Sequence, residues 1–202
     1  MKKYIKMFAG LAICVLTLAG CSGEVVPKLE DSDVISVDKE GVITSYLISD
    51  FDKEYYDTAE LTNMAVKDAA AYNEEHQVGE AVPLTVQSVE MKGTNVVLQH
   101  RYSDAEAYSG YNQKEFFYGT VSEALDEGYD LTALLTSVKD GQPLSQEDLM
   151  KKPEKTYVLI TDAKADIYCA RKITHVGDGV AYNEDGSVDT SLVEGVVVIL
   201  MK

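Results

Sequence analysis

Basic residues are scarce in this chain. Against 34 aspartates and glutamates it sets 18 lysines and arginines, and none of its 202 residues is tryptophan. A surface this acidic repels phosphate backbones and anionic headgroups, which excludes nucleic acid as a partner and excludes peripheral adhesion to a bilayer. Cysteine is as sparse: Cys14, Cys21 and Cys169 are too few for a disulfide-stapled scaffold or a cysteine-rich zinc cluster. No apolar run reaches the ~20 residues that span a membrane as a helix. The stretch 7–19 has the length of a signal-peptide core instead.

Lys2, Lys3 and Lys6 precede that stretch and favour holding the N-terminus on the cytoplasmic side. The stretch closes on Leu18-Ala19-Gly20-Cys21, which resembles the lipobox of bacterial lipoproteins. The resemblance implies diacylglyceryl transfer to the Cys21 thiol and cleavage between Gly20 and Cys21. Small residues admit an extended backbone to a protease cleft, and two acyl chains anchor stably where one binds marginally, at ~0.8 kcal/mol per buried methylene. The expected organisation is a signal helix at 1–20 that is cleaved, a lipidated flexible tether at 21–33, and one extracytoplasmic domain at 34–202. Losing the three signal lysines leaves 15 basic residues against 34 acidic ones, a formal charge of −19. Cys169 is then the one free thiol, and no internal disulfide can form.

Within 34–202 the patterning predicts an α+β fold with a mainly antiparallel sheet and three to four short helices. Segments 34–38 and 42–49 read as a hairpin, as do 82–91 and 95–102 around Lys92-Gly93-Thr94. Asp57 and Glu60 have capping-box spacing, and Leu61, Ala65, Ala69 and Tyr72 give the helix that follows one buried stripe. Ser103 with Glu106, Thr120 with Glu123, and Ser145 with Asp148 mark three more helix starts. Residues 116–118 read as a short buried strand, and 129–138 stays ambiguous between strand and helix. Strands follow at 156–161, at 166–174, and at 180–183 paired with 187–190. Residues 196–201 are apolar at every position, the signature of a central strand covered on both faces.

The chemistry-bearing residues fall into no catalytic pattern. Asn183, Asp185 and Gly186 fit three positions of a calcium loop, yet Ala181 and Leu192 stand where carboxylates are needed. Asp50, Asp52 and Glu54 alternate suitably, but Tyr55 replaces the required glycine. His76, His100 and His175 have no zinc-binding spacing, and His100 falls on the apolar face of its strand as a hydrogen-bonded core histidine. Ser36 and Lys39 match one penicillin-binding motif without its companions. Cys169 reads as a buried, inert thiol, since nothing near it in sequence lowers a thiol pKa. The sequence thus nominates no catalytic residue, no metal ligands and no cofactor, and its one assigned site is lipidation at Cys21. Tyr102, Tyr108, Tyr111, Phe116, Phe117 and Tyr118 cluster and serve either as core or as a stacking surface.

The lipobox, the segment Gly41-Val-Ile-Thr-Ser-Tyr46 running into Asp50-Phe-Asp52, the segment 116–125 and the last hydrophobic strand together resemble the small bacterial lipoproteins of Gram-positive anaerobes. From that family location and anchoring carry over, and no activity does. The expectation is a membrane-anchored lipoprotein on the extracytoplasmic face that binds an envelope protein, peptide or glycan without catalysis. The alternatives are a cell-wall-acting enzyme and a ligand- or cation-binding component of a transport system. Convergent carboxylates or histidines in a pocket favour the enzyme; an exposed patch of Tyr108, Tyr111 and neighbours favours the binding module.

Overall fold

The computed structural model describes residues 27–30, 32–132 and 134–202. The expected signal segment at 1–20 and the expected lipidation residue Cys21 lie outside the described residues. Among the described residues no helix is long and apolar enough to cross a membrane.

Two sheets carry the domain. The first holds seven strands in the order β10-β11-β8-β1-β2-β4-β3. Its members are β1 (Val34–Val37), β2 (Ile43–Asp50), β3 (Leu84–Lys92), β4 (Asn95–Tyr102), β8 (Asp166–Cys169), β10 (Ala181–Tyr182) and β11 (Val188–Asp189). The second runs β5-β7-β12-β9-β6, built from β5 (Phe116–Thr120), β6 (Leu135–Ser137), β7 (Tyr157–Thr161), β9 (Ile173–Gly177) and β12 (Val197–Met201). Every pairing is antiparallel except β1 with β8. The α+β class and its mainly antiparallel sheets are therefore as the sequence predicts.

Alternation along the strands builds one large core between the sheets. Ile35, Val37, Ile43 and Ile167 from the first sheet meet Phe116, Leu159, Ile173, Ile199 and Met201 from the second. Helix α1 (Thr58–His76) closes one side of this core with Ala69, its stripe packed on β3, and α2 (Ala105–Asn112) adds Ala107 and Tyr108. Gly110 in α2 suits this packing, because a Cβ there would sit 2.6 Å from the Tyr72 hydroxyl and oblige that ring to shift. The far face of the second sheet carries Phe117, Val158, Ile160, Val198 and Leu200. It packs beneath α3 (Val121–Asp126) and α4 (Gln146–Leu149). β12 lies between β7 and β9 with all five residues buried, the central strand read from its apolar run.

Two local readings need correction. The N-cap of α2 is Asp104, whose carboxylate accepts from Ala107 N at 2.8 Å, while Ser103 only donates to Asp104. A carboxylate one residue nearer the helix outcompetes the hydroxyl for the free amides. Residues 166–174 are two strands in different sheets: the chain leaves β8 at Ala170 and enters β9 at Ile173. Alternating apolarity reads the same in both, so the crossing is invisible in the pattern. Ahead of β1, residues 28, 32 and 33 make contacts with the domain. Ser32 donates to Asp166, Asp33 Oδ1 accepts from Ile48 N at 2.8 Å, and Lys28 pairs with Asp185 at 3.8 Å.

Candidate functional site

Between β2 and α1 the chain has only seven residues in which to turn. Phe51 N donates to Thr94 O at 2.7 Å, which fastens the exit of β2 to the β3–β4 turn. A turn then closes with Tyr56 N on Lys53 O at 3.0 Å, and Asp57 caps α1 by accepting from Ala59 N at 2.7 Å. So tight a path leaves its aromatic side chains outside the core. Tyr55 is 76% exposed and Tyr56 42%. Phe51 stacks on Tyr56 with ring centres 4.7 Å apart, and Tyr55 meets Tyr56 edge to face at 4.9 Å and 74°. With Met91 from β3, these rings line an open depression of about 480 Å³ whose charged lining residues are Glu54 and Asp57. Five acids and one lysine occupy 50–60, and that lysine, Lys53, is paired with Asp52 at 2.8 Å. The arrangement can hold an apolar or cationic group against ring faces.

The aromatic cluster at 102–118, which the sequence leaves open between core and stacking surface, lies apart from this depression. Tyr102, Tyr108, Phe116 and Phe117 are buried, and Tyr111 and Tyr118 pack partly buried on the same core. Burial pushes the Tyr108 hydroxyl well above the ordinary tyrosine range, and Tyr118 up to about 12 despite the Arg171 guanidinium that donates to it at 2.9 Å. The cluster at 102–118 is core. The signal for Tyr55 and Tyr56 was their position, paired aromatics in a connection that belongs to neither periodic element.

The remaining candidates have structural roles. Asp185 accepts from Ser187 Oγ at 2.7 Å, from Ser187 N at 3.1 Å and from the Tyr168 hydroxyl at 2.9 Å; the Ser187 bonds above all hold its carboxyl down at about 2. That satisfied carboxylate closes the β10–β11 hairpin. Among the described residues no group of three or more metal-ligating side chains converges. Cys169 packs against the main core, and burial pushes its thiol up to about 12. His175 pairs with Leu200, which faces α3 and α4, so Cys169 and His175 lie on different sides of the second sheet.

His100 is the hydrogen-bonded core histidine that the sequence predicts, but through one ring nitrogen only. Its ring is 1% exposed, with Nδ1 3.4 Å from the Tyr102 hydroxyl, and Nε2 has no hydrogen-bond partner among the described residues. Ser45 faces it across the β2–β4 ladder and its hydroxyl is likewise buried without a partner there. Burial lowers the His100 pKa. His76 is exposed and stacks on Tyr72 at 4.0 Å.

No protein-family model, curated protein or solved structure matches this chain.

Proposed function

We propose that the protein is a lipoprotein anchored to the cell membrane through diacylglyceryl on Cys21, exposed on the extracytoplasmic face, and that it works there as a non-catalytic binding module for an envelope protein, peptide or glycan. The lipobox residues Leu18-Ala19-Gly20-Cys21 support the anchoring. The observation that carries the binding role is the Tyr55–Tyr56 surface. Two large rings stay in solvent beside Phe51 and Met91, at a place where the core gains nothing from them. An exposed aromatic cluster of this kind is what recognition surfaces use.

Two measurements test the reading. Wild type and Cys21→Ala are expressed in a bacterium and partitioned between detergent and water. The wild type is expected in the detergent phase with a lipid mass increment on Cys21, and the variant in water. A processed wild type that stays aqueous removes the anchor. For binding, isolated envelope fractions are presented to wild type and to Tyr55→Ala/Tyr56→Ala. Saturable retention that the double variant loses is expected, and equal retention of both removes the site.

A further inference from the structure

Resting on the binding-module reading of this surface, we infer that the Phe51–Tyr55–Tyr56–Met91 depression takes a basic polypeptide segment, one that lays arginine or lysine side chains over the rings.

Charge comes first. The depression's charged lining consists of Glu54 and Asp57, and Lys53 beside it is held by Asp52 at 2.8 Å. Asp57 also caps α1, and Glu60 lies in that helix's first turn, so the positive end of the helix is already countered by carboxylates. From β3, Met91 faces the depression while Glu90 and Lys92, one step away on the strand, alternate to the opposite face. The formal charge of −19 left after the signal residues adds a long-range pull on any cation.

Ring geometry comes second. Tyr55 stands edge to face on Tyr56 at 74°, so the two rings form a corner and not one continuous flat platform. A corner of rings backed by a thioether suits a long aliphatic stem that ends in a charge. Magnitude then sets the size of the ligand. One solvent-exposed cation over a ring raises affinity only about two- to fivefold, whereas a millimolar complex needs about a thousandfold over the molar standard state. A small ammonium ion is therefore too weak a ligand for so open a site. A chain that sets several basic side chains on Tyr55, Tyr56, Met91 and the two carboxylates accumulates the difference.

The probe is a short blocked peptide of alternating arginine and alanine, beside the same peptide with glutamine for arginine and a chitin oligosaccharide. The protein is the chain from Cys21 onward with Cys21→Ser, since every contact described above lies within 28–202. Ligands are titrated while the tyrosine ring and methionine methyl NMR signals are followed. The arginine peptide is expected to move Tyr55, Tyr56 and Met91 saturably. Tyr55→Ala should weaken it about fivefold, one exposed cation–ring contact, Glu54→Gln should weaken it further at low salt, and Tyr182→Ala should change nothing. Equal binding of the glutamine peptide, or an arginine-peptide affinity indifferent to Tyr55→Ala, overturns the inference. Shifts at these residues with the oligosaccharide alone overturn it too, and leave the binding-module reading standing.

Discussion

Replacing His100 by phenylalanine tests how the core tolerates an imidazole it only half satisfies. The ring is 1% exposed and contacts Tyr102 and Tyr111 edge to face at 6.0 and 5.6 Å. Phenylalanine keeps that shape and removes the partnerless Nε2, a relief of about 1–3 kcal/mol. Against it stand the lost 3.4 Å contact with the Tyr102 hydroxyl, about 0.5–1 kcal/mol, and slight overpacking, about 1 kcal/mol. Above neutral pH the two proteins should therefore agree within about 1 kcal/mol.

Acid separates them. Burial lowers the folded-state pKa of His100, so the native protein refuses a proton that the unfolded chain accepts near pH ~6.5. Stability contributed by the neutral ring is complete above that pH. It falls as the pH drops toward the folded-state pKa, by at most about 1.4 kcal/mol per pH unit for one proton. The carboxylates and His175 titrate in both proteins, so the difference between them isolates His100. Urea unfolding followed by tyrosine circular dichroism at several pH values reads the midpoints. His100→Phe should gain on wild type steadily below about pH 6.5. A difference that stays constant, or shrinks, as the pH falls would refute a neutral buried His100.

Tyr55→Ala should leave folding stability within about 0.5 kcal/mol of wild type, because the ring is in solvent; a larger loss in urea unfolding would make Tyr55 part of the core. Cys169 should react slowly with a thiol reagent in the native protein at neutral pH and completely in denaturant, and fast native labelling would contradict its raised pKa. Arg171 lies 3.5 Å over the Tyr157 ring and donates to Tyr118 at 2.9 Å and to Lys39 O at 3.1 Å. Arg171→Lys should cost about 1–2 kcal/mol by thermal or urea unfolding, since an ammonium cannot reproduce that fork. Ile199→Ala, in the strand buried on both faces, should cost about 2–5 kcal/mol of a total near 5–15; a smaller loss would mean the sheet closes without β12.

What the sequence made legible was whatever is written in period and caps. β12 was recognisable because six successive apolar residues, 196–201, fit a strand with no wet face, and α3 because Thr120 and Glu123 bond reciprocally as their spacing requires. The crossing from β8 to β9 was not legible, since both halves alternate alike and only the β1–β8 pairing assigns the first half to the other sheet. Nor was the aromatic surface. Tyr108 and Tyr55 are the same residue type, and what separates them is that α2 carries Tyr108 onto Phe116 at 4.6 Å while the tight 51–57 connection has no core within reach. Burial of a tyrosine is a tertiary property and leaves no local mark.

The entry of the chain into the fold bears on how that surface would work at a membrane. Asp33 is fastened to Ile48 N, and Phe51 follows three residues on, just past the end of β2 and about 10 Å away. Lys28 and Ser32 also bond to the domain, at Asp185 and Asp166. On the proposed anchoring, about seven residues, 21–27, separate Cys21 from these contacts, a contour length of ~25 Å against ~40 Å for the whole of 21–33. Asp33 and Phe51 thus lie toward the same end of β2, the end at which the chain enters the fold. The domain's acidic surface pushes away from anionic headgroups while the tether limits how far it stands off. On the proposed anchoring and ligand, a basic segment in the layer between them would meet carboxylates on the protein side and phosphates on the lipid side, and would be held close to the site by both. Lengthening the tether with a neutral Gly-Ser insert after Gly23 relaxes that confinement. It should weaken retention of the arginine peptide by membrane-bound protein while leaving its affinity for the soluble form unchanged. Equal retention with either tether would show that the site works without regard to the membrane beneath it.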